Sequence, residues 1–126
     1  MNVILDTNAL MMPAQFHVDL FDSLTELLGS YTALVPSEVV YELRGLSEGN
    51  SKKSAAAKFG LKVAERCRVI PEIHDDVSVD DKVIIAAREF NAVVVTNDRE
   101  LRNRLIGFNI PVACLRQKSK LELIGK

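Results

Sequence analysis

The sequence predicts an α/β protein, a single domain over residues 1–126 with a central parallel sheet flanked by helices. Three observations predict it. Short apolar runs alternate with stretches of helical periodicity along the whole chain, the order expected of βα units. The run Ala92–Val95 is wholly apolar, as in a strand covered on both faces at the centre of a parallel sheet. The length of 126 residues, 48% of them hydrophobic, fits one domain whose core needs neither disulfide nor structural metal.

Each element follows from its residues. Asn2–Leu5 reads as the first strand, and Asp6, Thr7 and Asn8 interrupt it. From about Gln15 to Leu28, the residues Phe16, Leu20, Leu24, Leu27 and Leu28 recur at helical spacing, and Gly29 ends the run. Thr32–Val35 is a second strand, closed by Pro36. Ser37 is placed to cap a helix running to about Leu46, with Val39, Val40, Leu43 and Leu46 inward. Residues 47–54, "SEGNSKKS", form a polar loop, and Ser54 caps a helix to about Arg66. Arg68–Ile70 is a third strand, and 71–79 an acidic loop. A helix is expected from Val79 to Phe90, the buried strand at Ala92–Val95, and a short helix from Asp98 to about Ile106. Pro111–Leu115 is the last strand, and residues 116–126 are expected as a polar tail.

Composition excludes several classes. Net charge is -1 and the sequence pI about 6.1, so any nucleic-acid contact has to come from a local patch rather than from a basic surface. Cys67 and Cys114 sit in apolar segments without zinc spacing and read as buried thiols. No basic-then-apolar leader and no apolar run of about 20 residues is present, so a cytoplasmic protein without membrane contact is expected. The segment "GLSEGNSKKS" lacks the Gly-Lys-Ser/Thr ending of a phosphate-binding loop and follows a helix, and no GxGxxG occurs.

The carboxylates carry the functional signal. In a parallel sheet, chemistry collects at the carboxyl ends of the strands. Asp6 follows the first strand and Asp98, in "VVVTND", follows the most buried one. Glu42 lies on the helix after the second strand, beside Leu46 at the rim of the apolar face. Asp80 and Asp81 open the fourth predicted helix; Asp80 shares the stripe of Val83 and Ala87, and Asp81 points to the flank. Each acid alone has a plain structural explanation: an N-cap, a dipole partner, an Asx-turn or a solvated helix residue. Together they would repel one another at a half-buried place unless a hard divalent cation joined them. Such an ion can activate water and brace a phosphodiester.

Four stretches, "VILDTNAL", "VPSEVVYEL", "VDDKVIIAA" and "VVVTNDREL", resemble in order and spacing the four successive motifs of the PIN-domain nucleases. "VDDK" and the ending "PVACLRQKSKLEL" are most similar to the archaeal group related to VapC toxins and Fcf1-type ribosome-processing nucleases. The resemblance implies a Rossmann-like parallel sheet and a metal-dependent endoribonuclease, often a homodimer and, in the toxin branch, held by an antitoxin protein. It implies Mg²⁺ or Mn²⁺ on Asp6, Asp80 and Asp98, with Asp81 the alternative to Asp80, and Glu42 as the further catalytic acid. Thr7 and Asn8 would fix the first loop or hold a water on the metal, and Thr96 and Asn97 match the turn of the last motif.

Other residues are expected in lesser roles. Lys52, Lys53, Arg99, Arg102, Arg116 and Lys118 are candidates to hold an RNA backbone. His17 reads as a surface or packing residue and His74 as part of a solvated acidic loop. With no Trp and two Tyr, an aromatic base-stacking platform is not expected. The apolar excess of the Gln15–Leu28 run suits either the core or a dimer interface. Two other classes fit less well. An Asp-nucleophile phosphatase wants a second acid where Asn8 stands, and a receiver domain wants paired acids after the first strand. A non-catalytic RNA-binding scaffold on the same fold stays as the alternative function.

Overall fold

The computed structural model describes residues 1–71 and 77–125. His74 lies outside the described residues, as do four of its neighbours in the acidic loop.

Six strands form one sheet: β1 (Asn2–Leu5), β2 (Thr32–Pro36), β3 (Arg68–Ile70), β4 (Val93–Val95), β5 (Val112–Arg116) and β6 (Lys120–Ile124). Their order across the sheet is β3-β2-β1-β4-β5-β6. The first five run parallel, with Ile4 opposite Leu34 on one side and Val94 on the other. β6 is antiparallel to β5. Val3, Ile4, Leu5, Val94 and Val95 are fully buried, as an unbroken apolar strand at the centre of a covered sheet should be.

Six helices complete the fold: α1 (Thr7–Phe16), α2 (Leu20–Leu28), α3 (Ser37–Leu46), α4 (Lys52–Ala64), α5 (Val79–Glu89) and α6 (Arg99–Gly107). α5 packs on β1, β2 and β4, while α1, α3 and α4 pack together. The α1–α4 contact is close because Gly60 has no side chain: a Cβ there would stand 3.1 Å from the carbonyl oxygen of Leu10.

The structure corrects five sequence expectations. The helix expected from Gln15 to Leu28 is broken at 17–19: Gln15 and Phe16 end α1, and α2 starts at Leu20. His17 takes a left-handed conformation at the end of α1, and Asp19 caps α2 by accepting the amide of Asp22 at 3.0 Å. α1 itself begins at Thr7, where a loop was expected. The cap of α4 is Ser51, which accepts the amide of Ser54 at 3.0 Å, and Ser54 is buried with its hydroxyl donating to the carbonyl of Glu48. Ser37 is the first residue of α3 and makes no side-chain cap. Finally, the expected polar tail contains β6, an edge strand that buries Leu121 and shows its polar residues to water.

Candidate active site

The strand order reverses at β1: the chain builds outward through β2 and β3, then returns to β4 on the other side. The carboxyl ends of β1 and β4 therefore frame a crevice at the switch point of the sheet, where open α/β folds bind their ligands. A cleft of about 210 Å³ lies there, and Asp6, Glu42, Asp80 and Asp98 all line it. The carboxylates come from four segments: the end of β1, the middle of α3, the first turn of α5 and the turn after β4.

Asp6 is anchored where it stands. It is the N-cap of α1 and its Oδ1 accepts the amide of Ala9 at 2.7 Å. Only 6% of its surface is exposed. Burial lifts its carboxyl to about 7; the Thr96 hydroxyl and the Ala9 amide draw it down, and the charges of Asp80 and Asp98 push it further up. Asp98 caps α6 in the same manner, accepting the amide of Leu101 at 3.0 Å. Burial also raises Asp80, assisted by the charges of Asp98, Glu42 and Glu100 and opposed by Arg104.

The two adjacent acids of α5 separate cleanly. Asp80 faces the cleft. Asp81 forms an ion pair with Arg104 of α6 at 2.6 Å, which holds its carboxyl below the usual range. Both outcomes follow from successive helix positions pointing about 100° apart. The Arg104 partner carried no sequence signal, because it comes from a helix joined only through the tertiary fold.

The polar residues around the acids build the frame. The Thr7 hydroxyl donates to Glu42 and ties α1 to α3. Asn8 Oδ1 accepts the amide of Asn97 at 3.0 Å, and Asn97 Oδ1 accepts the amide of Leu115 at 2.8 Å. The start of α1, the turn after β4 and the end of β5 are thus joined in series. Thr96, fully buried, accepts the Asp98 amide on its hydroxyl at 3.0 Å and shapes that turn.

Of the basic candidates, Lys53 lines the cleft itself. Lys52 is exposed beside it at the start of α4, and Arg99 and Arg102 stand in the first turn of α6. Arg116 ends β5 on the same edge of the sheet and pairs with Glu122 of β6 at 3.1 Å. Lys118 lies in the β5–β6 turn with φ of 64°. His17 is exposed at the end of α1, away from the carboxylates.

Among the described residues, no three His, Cys, Asp or Glu side chains stand as a finished metal-holding group. The fit to a hard divalent cation is one of donor chemistry and charge. Asp6, Asp80 and Asp98 border one cleft, and a nearby cation would favour their charged forms against the burial and repulsion that lift Asp6 and Asp80.

Fold and cleft together define an α/β protein with an acidic site at the switch point of its sheet. The chain belongs to the PIN-like domain family, whose pattern matches residues 3–118. The family expected from the four motifs is the family found. The chain is 29% identical over 119 residues to ribonuclease VapC9 of Archaeoglobus fulgidus, across 94% of this chain and 85% of that protein. It is 43% identical over 47 residues to ribonuclease VapC4 of Methanocaldococcus jannaschii, 36% of each chain. Among solved structures it resembles the PIN domain endonuclease Utp24, with TM-score 0.79 and 25% identity over 99% of this chain and 93% of the other. It shares its fold with a chain in the structure of VapBC2 from Rickettsia felis bound to a fragment of promoter DNA. There the TM-score is 0.65 and identity 20%, over 92% of this chain and all of the other.

Proposed function

We propose that this protein is an endoribonuclease that uses Mg²⁺ or Mn²⁺ to hydrolyse RNA phosphodiester bonds. The observation that carries the reading is the meeting of Asp6, Glu42, Asp80 and Asp98 in one cleft at the switch point. The ribonuclease relatives support it. Asp6, Asp80 and Asp98 would hold the ion, and Asp81 is set aside because Arg104 occupies it. When bound, the ion supplies a Lewis acid for the phosphoryl oxygen and an acidified water.

The chain's own residues do the rest. Glu42, oriented by the Thr7 hydroxyl, is placed to accept a proton from an attacking water or to add a ligand. Lys53 places an ammonium at the cleft wall for the RNA backbone. Helix capping fixes Asp6 and Asp98 before substrate arrives, so little reorganisation is left for the reaction. The VapC names of two relatives and the VapBC2 structural neighbour support a toxin-type role over a ribosome-processing one; on that reading the protein would act in the cytoplasm as a homodimer held by an antitoxin protein. Among the described residues, no helix is long and apolar enough to cross a membrane.

The test is cleavage of end-labelled single-stranded RNA with Mn²⁺. Cleavage should stop on adding EDTA and fall at least a hundredfold in Asp6→Asn, while circular dichroism stays unchanged. Asn keeps the cap of α1, so folding should survive. Undiminished cleavage by that variant would remove Asp6 from the site. A wild-type protein that binds RNA without cutting it would favour the scaffold alternative.

A further inference from the structure

A second hollow, of about 680 Å³, opens beside the carboxylate cleft and shares Glu42 and Val79 with it. It lies between α3 and α5. Lys82 and Glu38 form its buried side, paired at 3.5 Å with about one-tenth of each side chain exposed. On its open side stands Tyr41, 78% exposed, the most exposed of the large hydrophobic residues described.

Two features of α3 suit this hollow to a planar guest. Tyr41 leaves most of its surface to solvent, so core packing does not account for an aromatic residue there. Gly45, one turn on, stands in the last turn of α3, one residue before its end. Its φ is not positive, and a Cβ added to it would meet nothing within 4 Å. Neither backbone conformation nor packing requires glycine at that place. Its effect is to leave the surface next to the Tyr41 ring bare.

At about 100° per residue, the order around α3 is Glu42, Gly45, Tyr41, Arg44. In an RNA strand each ribose lies between two phosphates and carries its base to one side, so a phosphate at Glu42 and the next at Arg44 would set the base between them over Gly45 and Tyr41. We propose that this groove is a nucleotide subsite for single-stranded RNA, in which a base next to the scissile phosphate lies over Gly45 and stacks on Tyr41 while the following phosphate meets Arg44. The inference rests on the nuclease reading for its orientation, and on the continuity of the two hollows for its place. Stacking accepts any base and asks only that it be unpaired, so the subsite selects single strands over duplexes. The sequence count of aromatics argued against a stacking platform; one exposed tyrosine beside the cleft is enough for one base.

The chain has no tryptophan, which makes the test direct. In an Asp6→Asn background, which prevents cleavage, Tyr41→Trp places the sole indole in the groove. Titration with a single-stranded oligoribonucleotide should quench its fluorescence saturably, and the same sequence as a duplex should not. Adding Gly45→Leu, which fills the bare surface without touching the core, should weaken binding at least tenfold. In the otherwise wild-type enzyme, Tyr41→Ala should raise KM about tenfold with kcat little changed, and Tyr41→Phe should restore it. Absence of quenching by single-stranded RNA, or equal affinity with and without Gly45→Leu, would overturn the subsite even if the wild type cuts RNA. Quenching with no cleavage by the wild type would uphold the subsite and remove the nuclease reading instead.

Discussion

Asp6 holds two positions at once. It caps α1 through the Ala9 amide, a structural task, and its other face borders a cleft shared with three more carboxylates. Burial lifts it from an ordinary 3.8 to about 7. Between those values the folded protein keeps a proton that the unfolded chain has released. By linkage, the stability that this group contributes is complete below about pH 4 and is lost as pH rises through 7, by on the order of 4 kcal/mol. Asp80, raised in the same direction, adds to the trend. The metal-free protein should therefore lose stability from pH 5 to pH 8.5, and Asp6→Asn should lose about 2–3 kcal/mol less over that range. Urea unfolding of both proteins at the two pH values measures it. Parallel pH trends would mean that Asp6 is not buried as a shared acid.

At the scale of elements, two asparagines join the segments that carry Asp6 and Asp98. The path from Asn8 to the Asn97 amide, and from the Asn97 side chain to the Leu115 amide, joins α1, the β4–α6 turn and β5. Asn97→Ala leaves the Leu115 amide without its acceptor and frees the turn that positions Asp98. A loss of about 1–3 kcal/mol in stability is expected, with a fall in kcat larger than the change in KM. Denaturant unfolding beside steady-state cleavage separates the two. These links also show what the sequence could reveal. Asp6 and Asp98 were legible because each ends an apolar run, and parallel strands carry such ends to one edge. Asp80 was legible as a member of the core stripe. α1 was not, because Asp6 reads as a strand terminator and Pro13 discourages a helix that tertiary packing nonetheless sustains. β6 was hidden because Lys120–Ile124 offers one buried residue, Leu121, and its pairing with β5 comes from the hairpin turn. Tyr41 was hidden because exposure is a property of the assembled groove, not of its place in α3.

For the whole molecule, the acidic cleft is a local cost within a nearly neutral chain of net charge -1. The fold brings four carboxylates to one edge of the sheet, and α1, α3, α5 and α6 each contribute a side chain or a cap to that edge. A ligand that neutralises the edge must then stabilise the entire fold, since it binds the native cleft and finds no such cluster in the unfolded chain. At a Mn²⁺ concentration about 100 times its dissociation constant, the gain is about 2.7 kcal/mol. For a domain of this size that corresponds to a rise in Tm of about 10 °C. The rise should be smaller at pH 5, where Asp6 holds a proton that competes with the ion, and largest near pH 8. It should shrink to a few degrees in Asp6→Asn and persist in Asp81→Asn, because Asp81 is committed to Arg104. Differential scanning calorimetry with and without Mn²⁺ on the three proteins decides the matter. A Tm rise that survives Asp6→Asn in full, or vanishes in Asp81→Asn, would move the cation away from the cleft at the end of β1.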